Sequence, residues 1–376
     1  MIIFANVKFM GEGLESGFMS LMNPGLTPSE KTWETAVLAF VNGKWRSLLL
    51  LVFGAGLAIQ YMRRTNAGDW PTGHIKRYAW LYALGLLHFV LIWDGDILMM
   101  YSLAGILGLG VLKMPQDRLL KWIKVGIGGI GILCILIVLA STILNFIPPE
   151  DLDLESLHSG TSGSSESAIL ALGTYLDQVL HRLTILPGYM VLNPILLAPL
   201  APLPLLGMWW MRNGFFSSTP EGLSARRKAM TWGFGLGIPM NLAVLLFAQS
   251  NLLLPHWIWI ESIAGPVLSV GSLALGAEIW LKPGLLAETL AKVGRMAMSA
   301  YVFQSIAGTA IFYSWGLRQF GKLTMPGYLL IALGISLLTW SFCAVWSQLL
   351  GQGPLERLWR KLSATPGSVP TYSPRK

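Results

Sequence analysis

The chain has 376 residues, of which 53% are apolar and only 12% are charged, and its formal net charge is +8. A soluble domain carries about twice that charged fraction, so too few polar residues are present to coat a water-soluble body of this length. The positive balance does not point to nucleic acid, because the basic residues sit between apolar runs and no basic stripe carries interleaved aromatics.

In chain order, Met1 to Met10 is apolar apart from Asn6 and Lys8 and is too short to span a bilayer. It reads as the second half of a helix that begins upstream, so Met1 is not the expected native start. Residues 11–43 contain Thr27-Pro28-Ser29-Glu30, a capping box with Pro at the first helical position. Trp33, Val37, Leu38 and Val41 follow at helical spacing, which predicts a short helix on the outer membrane face. A spanning helix needs about 20 mostly apolar residues. Nine such segments lie near 44–62, 77–93, 97–113, 125–146, 186–211, 229–249, 257–280, 296–315 and 327–349. Residues 147–168 are acidic and then rich in Ser and Gly, as expected of a flexible external loop, and an amphipathic helix resumes over 169–181. Residues 350–376 form a tail. The expected fold is all-α, a single membrane domain over 1–376.

Orientation follows from the loops. Every second junction, beginning with Met62–Arg77 and ending with the tail, holds 20 of the 27 Lys and Arg residues. The positive-inside rule places those junctions and the C-terminus in the cytoplasm, which predicts a multi-pass protein of the inner or plasma membrane. The two cysteines, Cys134 and Cys343, both fall in apolar runs and read as buried small hydrophobes rather than a disulfide or metal pair. No metal site is expected.

Gly126-Ile127-Gly128-Gly129-Ile130-Gly131 matches a dinucleotide fingerprint in letters only, since no strand precedes it and no acidic residue follows. It reads as small residues that let helices approach closely, as do Gly54-Ala55-Gly56 and Gly233 to Gly237. The main chemical signal is His88 inside a span, followed by Trp93-Asp94-Gly95-Asp96 at its outer mouth. A titratable ring in a span is costly without a partner. His88 either handles a proton or accepts an acyl group, or it is satisfied by a backbone carbonyl. Asp96 either assists it or caps the next helix. On one straight helix the eight intervening steps separate them by about 12 Å, too far to pair, although both could line one cavity.

Lys44 and Arg46 either snorkel to outer headgroups, pair with Asp94 or Asp96, or hold an anionic substrate. Glu278 has Lys282 four residues on, and an i,i+4 ion pair is the simplest account. Asn241 follows Pro239 and either repairs the broken helix ladder or lines a binding cavity. Tyr301 and Gln304 share a helix face and either bond a neighbouring helix or touch a ligand.

These residues also carry a resemblance. Gly43-Lys44-Trp45-Arg46-Ser47-Leu48 with Phe53-Gly54-Ala55-Gly56, His88 with Trp93-Asp94-Gly95-Asp96-Ile97-Leu98 and Tyr101, and Leu206-Gly207-Met208 with Gly214-Phe215 resemble the YeiB-like family. So do Gly294-Arg295-Met296-Ala297 with Tyr301, Gln304 and Phe312-Tyr313, and the closing Gly353-Pro354-Leu355-Glu356-Arg357-Leu358-Trp359-Arg360. That family contains domain of unknown function 418, and the resemblance runs from about residue 40 to 362. The family opens with an Arg-Gly that is absent here, while Asn6 stands in the place of its Asn. The resemblance implies a distant kinship with membrane acyltransferases, including those that move acetyl groups from cytosolic coenzyme A to sugars across a bilayer with a His near the membrane.

Two functions follow as expectations. In the first, His88 is general base and Asp96 orients it or the acceptor, in the transfer of an acyl group from a cytoplasmic donor such as acyl-CoA to a glycan or lipid of the envelope. Lys44, Arg46, Asp94, Asn241, Tyr301 and Gln304 are the candidate substrate contacts. The alternative is a small-solute transporter, to which intramembrane polar groups and Pro-broken helices are equally suited, or a non-catalytic envelope assembly partner.

Overall fold

The computed structural model describes residues 2–13, 27–41, 43–66, 68, 70–144, 162–248, 256–282 and 284–364, and among them the regular structure is entirely helical. Helix α1 is Ile2–Glu12, α2 Pro28–Phe40, α3 Lys44–Asn66, α4 Thr72–Leu91, α5 Leu98–Leu107, α6 Leu109–Leu112, α7 Gln116–Leu144 and α8 Ser162–Leu172. Then come α9 Tyr175–Leu197, α10 Pro202–Arg212, α11 Pro220–Ala248, α12 His256–Leu281, α13 Leu285–Gly294, α14 Ala297–Phe312, α15 Met325–Leu349 and α16 Pro354–Leu362.

The protein is a membrane helix bundle. Among the described residues, six helical runs are long and apolar enough to cross a bilayer: Pro28–Asn66, Gln116–Ala140, Tyr175–Leu200, Pro220–Leu246, Ser262–Leu281 and Met325–Leu349. Leu98–Leu107 and Ala297–Phe312 are apolar but shorter. The first turns of α4 carry His74, Lys76 and Arg77, which interrupt its apolar run. Among the described residues, each of the nine expected segments falls mainly on helix, while the lengths are uneven. Large apolar side chains point outward, with Ile132 62%, Ile135 60% and Ile143 64% exposed on α7 alone. Only lipid or another apolar partner would cover such a face.

Several boundaries differ from the sequence expectation. The segment near 97–113 breaks at Gly108 into α5 and α6. The segment near 186–211 is two helices joined by a 3-10 turn, Ala198–Leu200, with Pro202 opening α10. The preceding helix does not end near 181. Thr174 and Asp177 form a capping box, and α9 runs unbroken to Leu197. Most of the expected external loop, residues 147–161, lies outside the described residues, but 162–168 are helical rather than loop. The capping box at Thr27 is present as read, with its side chain accepting from Glu30 N.

Close backbone contact holds the centre together. A methyl on Gly54 would sit 1.8 Å from the Pro204 carbonyl oxygen, and one on Gly207 would sit 1.9 Å from that of Leu51. Glycine at both positions is what lets α3 and α10 touch. Gly233 likewise lies against Gly271 of α12, and Gly126 against Pro202, but Gly128, Gly129 and Gly131 meet nothing within 4 Å. The close-approach reading of that run therefore holds for its first glycine alone. Cys134 and Cys343 are free and buried.

Two buried cations of the bundle are paired with carboxylates. Arg226, 2% exposed, bonds Glu278 across α11 and α12 and donates to the carbonyls of Phe215 and Ser217. The expected Glu278–Lys282 pair is thus replaced by a cross-helix one, because a buried guanidinium has the stronger need of the carboxylate. Lys8 bonds Glu34 of α2 and lies 3.5 Å from Glu12.

Candidate functional site

The site forms where α4 ends and the chain turns back into α5. Helix α4 stops at Leu91, and the amides of Ile92 and Trp93 both donate to the His88 carbonyl, closing the helix end. The next four residues reverse the chain instead of extending the helix. This reversal brings Asp96 back alongside His88, with Nδ1 to Oδ2 at 2.9 Å, so the separation expected on a straight helix does not apply. Both residues are 2% exposed. The ring N–H is not aligned along this contact, which makes it an electrostatic pairing rather than a linear hydrogen bond. Nε2 of His88 has no hydrogen-bond partner among the described residues.

Asp96 divides its oxygens. Oδ1 accepts from the Met99 amide at 2.9 Å at the start of α5, while Oδ2 faces the imidazole. Both sequence readings of Asp96, helix cap and histidine partner, therefore coexist in one side chain. Gly85, one turn before His88, makes room for this. A methyl there would lie 2.6 Å from Met99 N and 2.9 Å from Asp96 Oδ1.

Two tyrosines clamp the reversal. The Tyr301 hydroxyl of α14 donates to the Gly95 carbonyl at 3.0 Å, and its ring lies 4.9 Å from the His88 ring. The Tyr189 hydroxyl of α9 donates to the Asp96 carbonyl. Asp94, 4% exposed, turns its carboxylate onto the amides of its own turn, with the charges of Arg182 and His181 nearby.

The remaining candidates divide. Gln304, half-buried one helical turn beyond Tyr301, makes no hydrogen bond among the described residues. Lys44 is buried and donates to the Leu38 carbonyl at 2.8 Å, and Arg46 is exposed and acts on the Tyr101 hydroxyl. Neither forms an ion pair with Asp94 or Asp96. Asn241 donates to the carbonyls of Gly237 at 2.7 Å and Ala264 at 3.1 Å, which ties the Pro239-broken helix to α12. The structure thus gathers His88, Asp94, Asp96 and Tyr301, and leaves Asn241, Lys44 and Arg46 on other contacts.

Sequence reading passed over four contributors. Gln178, Arg182 and Tyr189 fall on one face of α9 by their spacing, a polar stripe that continuous helicity from Thr174 makes visible. Gln178 donates to Ser314 Oγ at 2.8 Å, Arg182 to the Val90 carbonyl at 2.8 Å. The fourth is Glu356. Its carboxylate accepts from the amides of Met298 and Ser299 and from the Ser299 hydroxyl, while Leu355 N donates back to Ser299 Oγ. The closing Gly-Pro-Leu-Glu run therefore caps the helix that carries Tyr301.

Among known proteins, residues 210–366 match the family described as "Protein of unknown function (DUF418)". The chain is 27% identical over 365 residues to the uncharacterized protein YeiB of Escherichia coli (strain K12), a match covering 90% of this chain and 86% of that protein. It is 24% identical over 339 residues to the uncharacterized protein YxaH of Bacillus subtilis (strain 168), covering 85% of this chain and 79% of the relative. No solved structure matches significantly. The DUF418 match over its C-terminal part, with YeiB and YxaH aligned along most of its length, supports a YeiB-like, DUF418 family for this chain.

Proposed function

We propose that this protein is a membrane acyltransferase in which His88 is the general base. The observation that carries the reading is the buried pair of His88 Nδ1 and Asp96 Oδ2 at 2.9 Å, with Nε2 left without a hydrogen-bond partner among the described residues. A carboxylate on one ring nitrogen fixes the tautomer and steadies the imidazolium, so that the other nitrogen can take a proton. The acceptor hydroxyl gives its proton to Nε2 as its oxygen bonds the acyl carbonyl carbon. The bond from that carbon to the donor's leaving atom then breaks, and the proton passes from Nε2 to the leaving group. Tyr301 supports the turn that holds Asp96 and packs on the ring.

The charge pattern supports an orientation with the 94–96 turn outside and the tail after Leu350 in the cytoplasm, as the positive-inside rule describes for an inner or plasma membrane. The donor would then be cytoplasmic, for which a thioester such as acyl-CoA is suited, and the acceptor a glycan or lipid of the envelope. The test compares acyl groups on envelope glycans and lipids between cells making the wild-type protein and His88→Ala. Loss of one acylated species in the variant is expected, and an unchanged profile would overturn the proposal. Donor-independent solute uptake by vesicles of the purified protein would favour the transporter instead.

A further inference from the structure

The second buried charge cluster of this region lies on α9. Arg182 is 1% exposed, and its Nε is committed to the Val90 carbonyl at 2.8 Å. Its Nη1 and Nη2 have no hydrogen-bond partner among the described residues, and neither has Nε2 of the adjacent His181. The charge of Asp94 acts on the guanidinium, yet its carboxylate is held by the amides of Asp94 and Gly95 and closes no ion pair with Arg182. Leaving two guanidinium nitrogens without acceptors in a buried place carries the full desolvation penalty of a charged donor. Buried donors in native proteins are almost always satisfied, by protein, water or ligand.

The geometry points to an anion-recognition site in which the end-on fork of Arg182 takes the two oxygens of a singly charged oxyanion, a carboxylate or a phosphodiester. With Nε anchored, the Nη1–Nη2 edge has a fixed direction, as bidentate recognition of such oxygens requires. Single charge is selected in two ways. Burial makes shedding the hydration of a dianion expensive, and Asp94 repels a second negative charge. The inference does not depend on the chemistry assigned to His88.

The test uses the full chain purified in neutral-detergent micelles, with the thermal midpoint followed at constant ionic strength. One arm replaces sodium chloride with sodium acetate, a second with dimethyl phosphate, and a third adds phosphatidylglycerol to the micelles. A saturable upward shift with acetate or dimethyl phosphate identifies a soluble ligand, and one with phosphatidylglycerol alone identifies a lipid headgroup. Arg182→Lys keeps the charge but loses the fork, and should weaken the apparent affinity about tenfold or more. Asp94→Asn removes the repulsion, and should tighten binding several-fold and admit inorganic phosphate as a dianion. No shift in any arm, or equal responses from the wild type and Arg182→Lys, would overturn the proposal. Should Arg182→Lys not be recovered folded, an Asp94→Asn response identical to wild type overturns it. His88→Ala should keep the anion response, so failure of the acyl-transfer reading and failure of this one remain distinguishable.

Discussion

Asp96 serves both the imidazole and the first turn of α5, and one substitution separates the two tasks. Asparagine is as good a helix cap as aspartate but carries no charge to hold an imidazolium. Under the proposed acyl-transfer chemistry, Asp96→Asn should therefore keep the thermal midpoint within a few degrees of wild type while that transfer falls by about a hundredfold or more. A parallel loss of both would make the residue purely structural. His74 offers a pH test ahead of the apolar stretch. Its Nε2 donates to the Gly105 carbonyl at 2.8 Å and its Nδ1 has no partner among the described residues. Burial pushes its pKa below the ordinary value of about 6.5, against the pull of the Gly105 carbonyl, and the charges of Arg64 and Arg77 add to the lowering. The folded state thus favours the neutral ring. Its contribution is present above about pH 6.5 and is lost as pH falls, because the unfolded chain takes up the proton first. Thermal midpoints in detergent between neutral and mildly acidic pH should drop more steeply for wild type than for His74→Gln. Residue identities were legible in this way, since His88 and Asp96 stood out as costly polar groups in an apolar context. Their contact was not, because it depends on where α4 stops and how Gly85 admits the returning turn.

At the scale of helices, local signals succeeded where they were strong and unopposed. Thr27-Pro28-Ser29-Glu30 marked the start of α2 at the right residue. Thr174 and Asp177 carry the same kind of cap, yet the apolar periodicity on either side reads across it, so the start of α9 was misplaced and its polar face hidden. The 186–211 segment was long enough to be one span, and only its prolines hint at the turn over 198–200. Glu278 shows the limit of near-neighbour logic, since a partner four residues away lost to Arg226 on another helix. The Glu356 contact is the clearest interhelix prediction. Glu356→Ala would strip acceptors from two amides at the start of α14 and from the Ser299 hydroxyl. A loss of about 1–2 kcal/mol is expected from a missing cap of this kind. Thermal unfolding of the detergent-solubilised variant would register it, and an unchanged midpoint would count against the contact.

For the molecule as a whole, composition sufficed to identify a membrane bundle, because no arrangement of so few charged residues could coat its surface. The outward Ile and Leu of α7 and α9 carry the same message in three dimensions. The expressed chain should pellet with membranes, resist alkaline carbonate and be released by detergent, and its appearance in the soluble fraction would refute the bundle. What composition could not supply is the order of packing: α3 against α10, α11 against α12, and α1 against α14 and α15. Tyr301 of α14 and Tyr189 of α9 reach one short turn from distant stretches of chain.

The reciprocal bonding of Ser299 with Leu355 and Glu356 makes the final described helix a working part of the bundle rather than an appendage. A premature stop near residue 352 would spare every long apolar helix and would still insert normally. It would nevertheless unfasten the beginning of α14 two residues before Tyr301, and loosen a turn some two hundred positions earlier in the chain. Damage of this sort would present as lost activity in a protein that reaches the membrane in normal amounts.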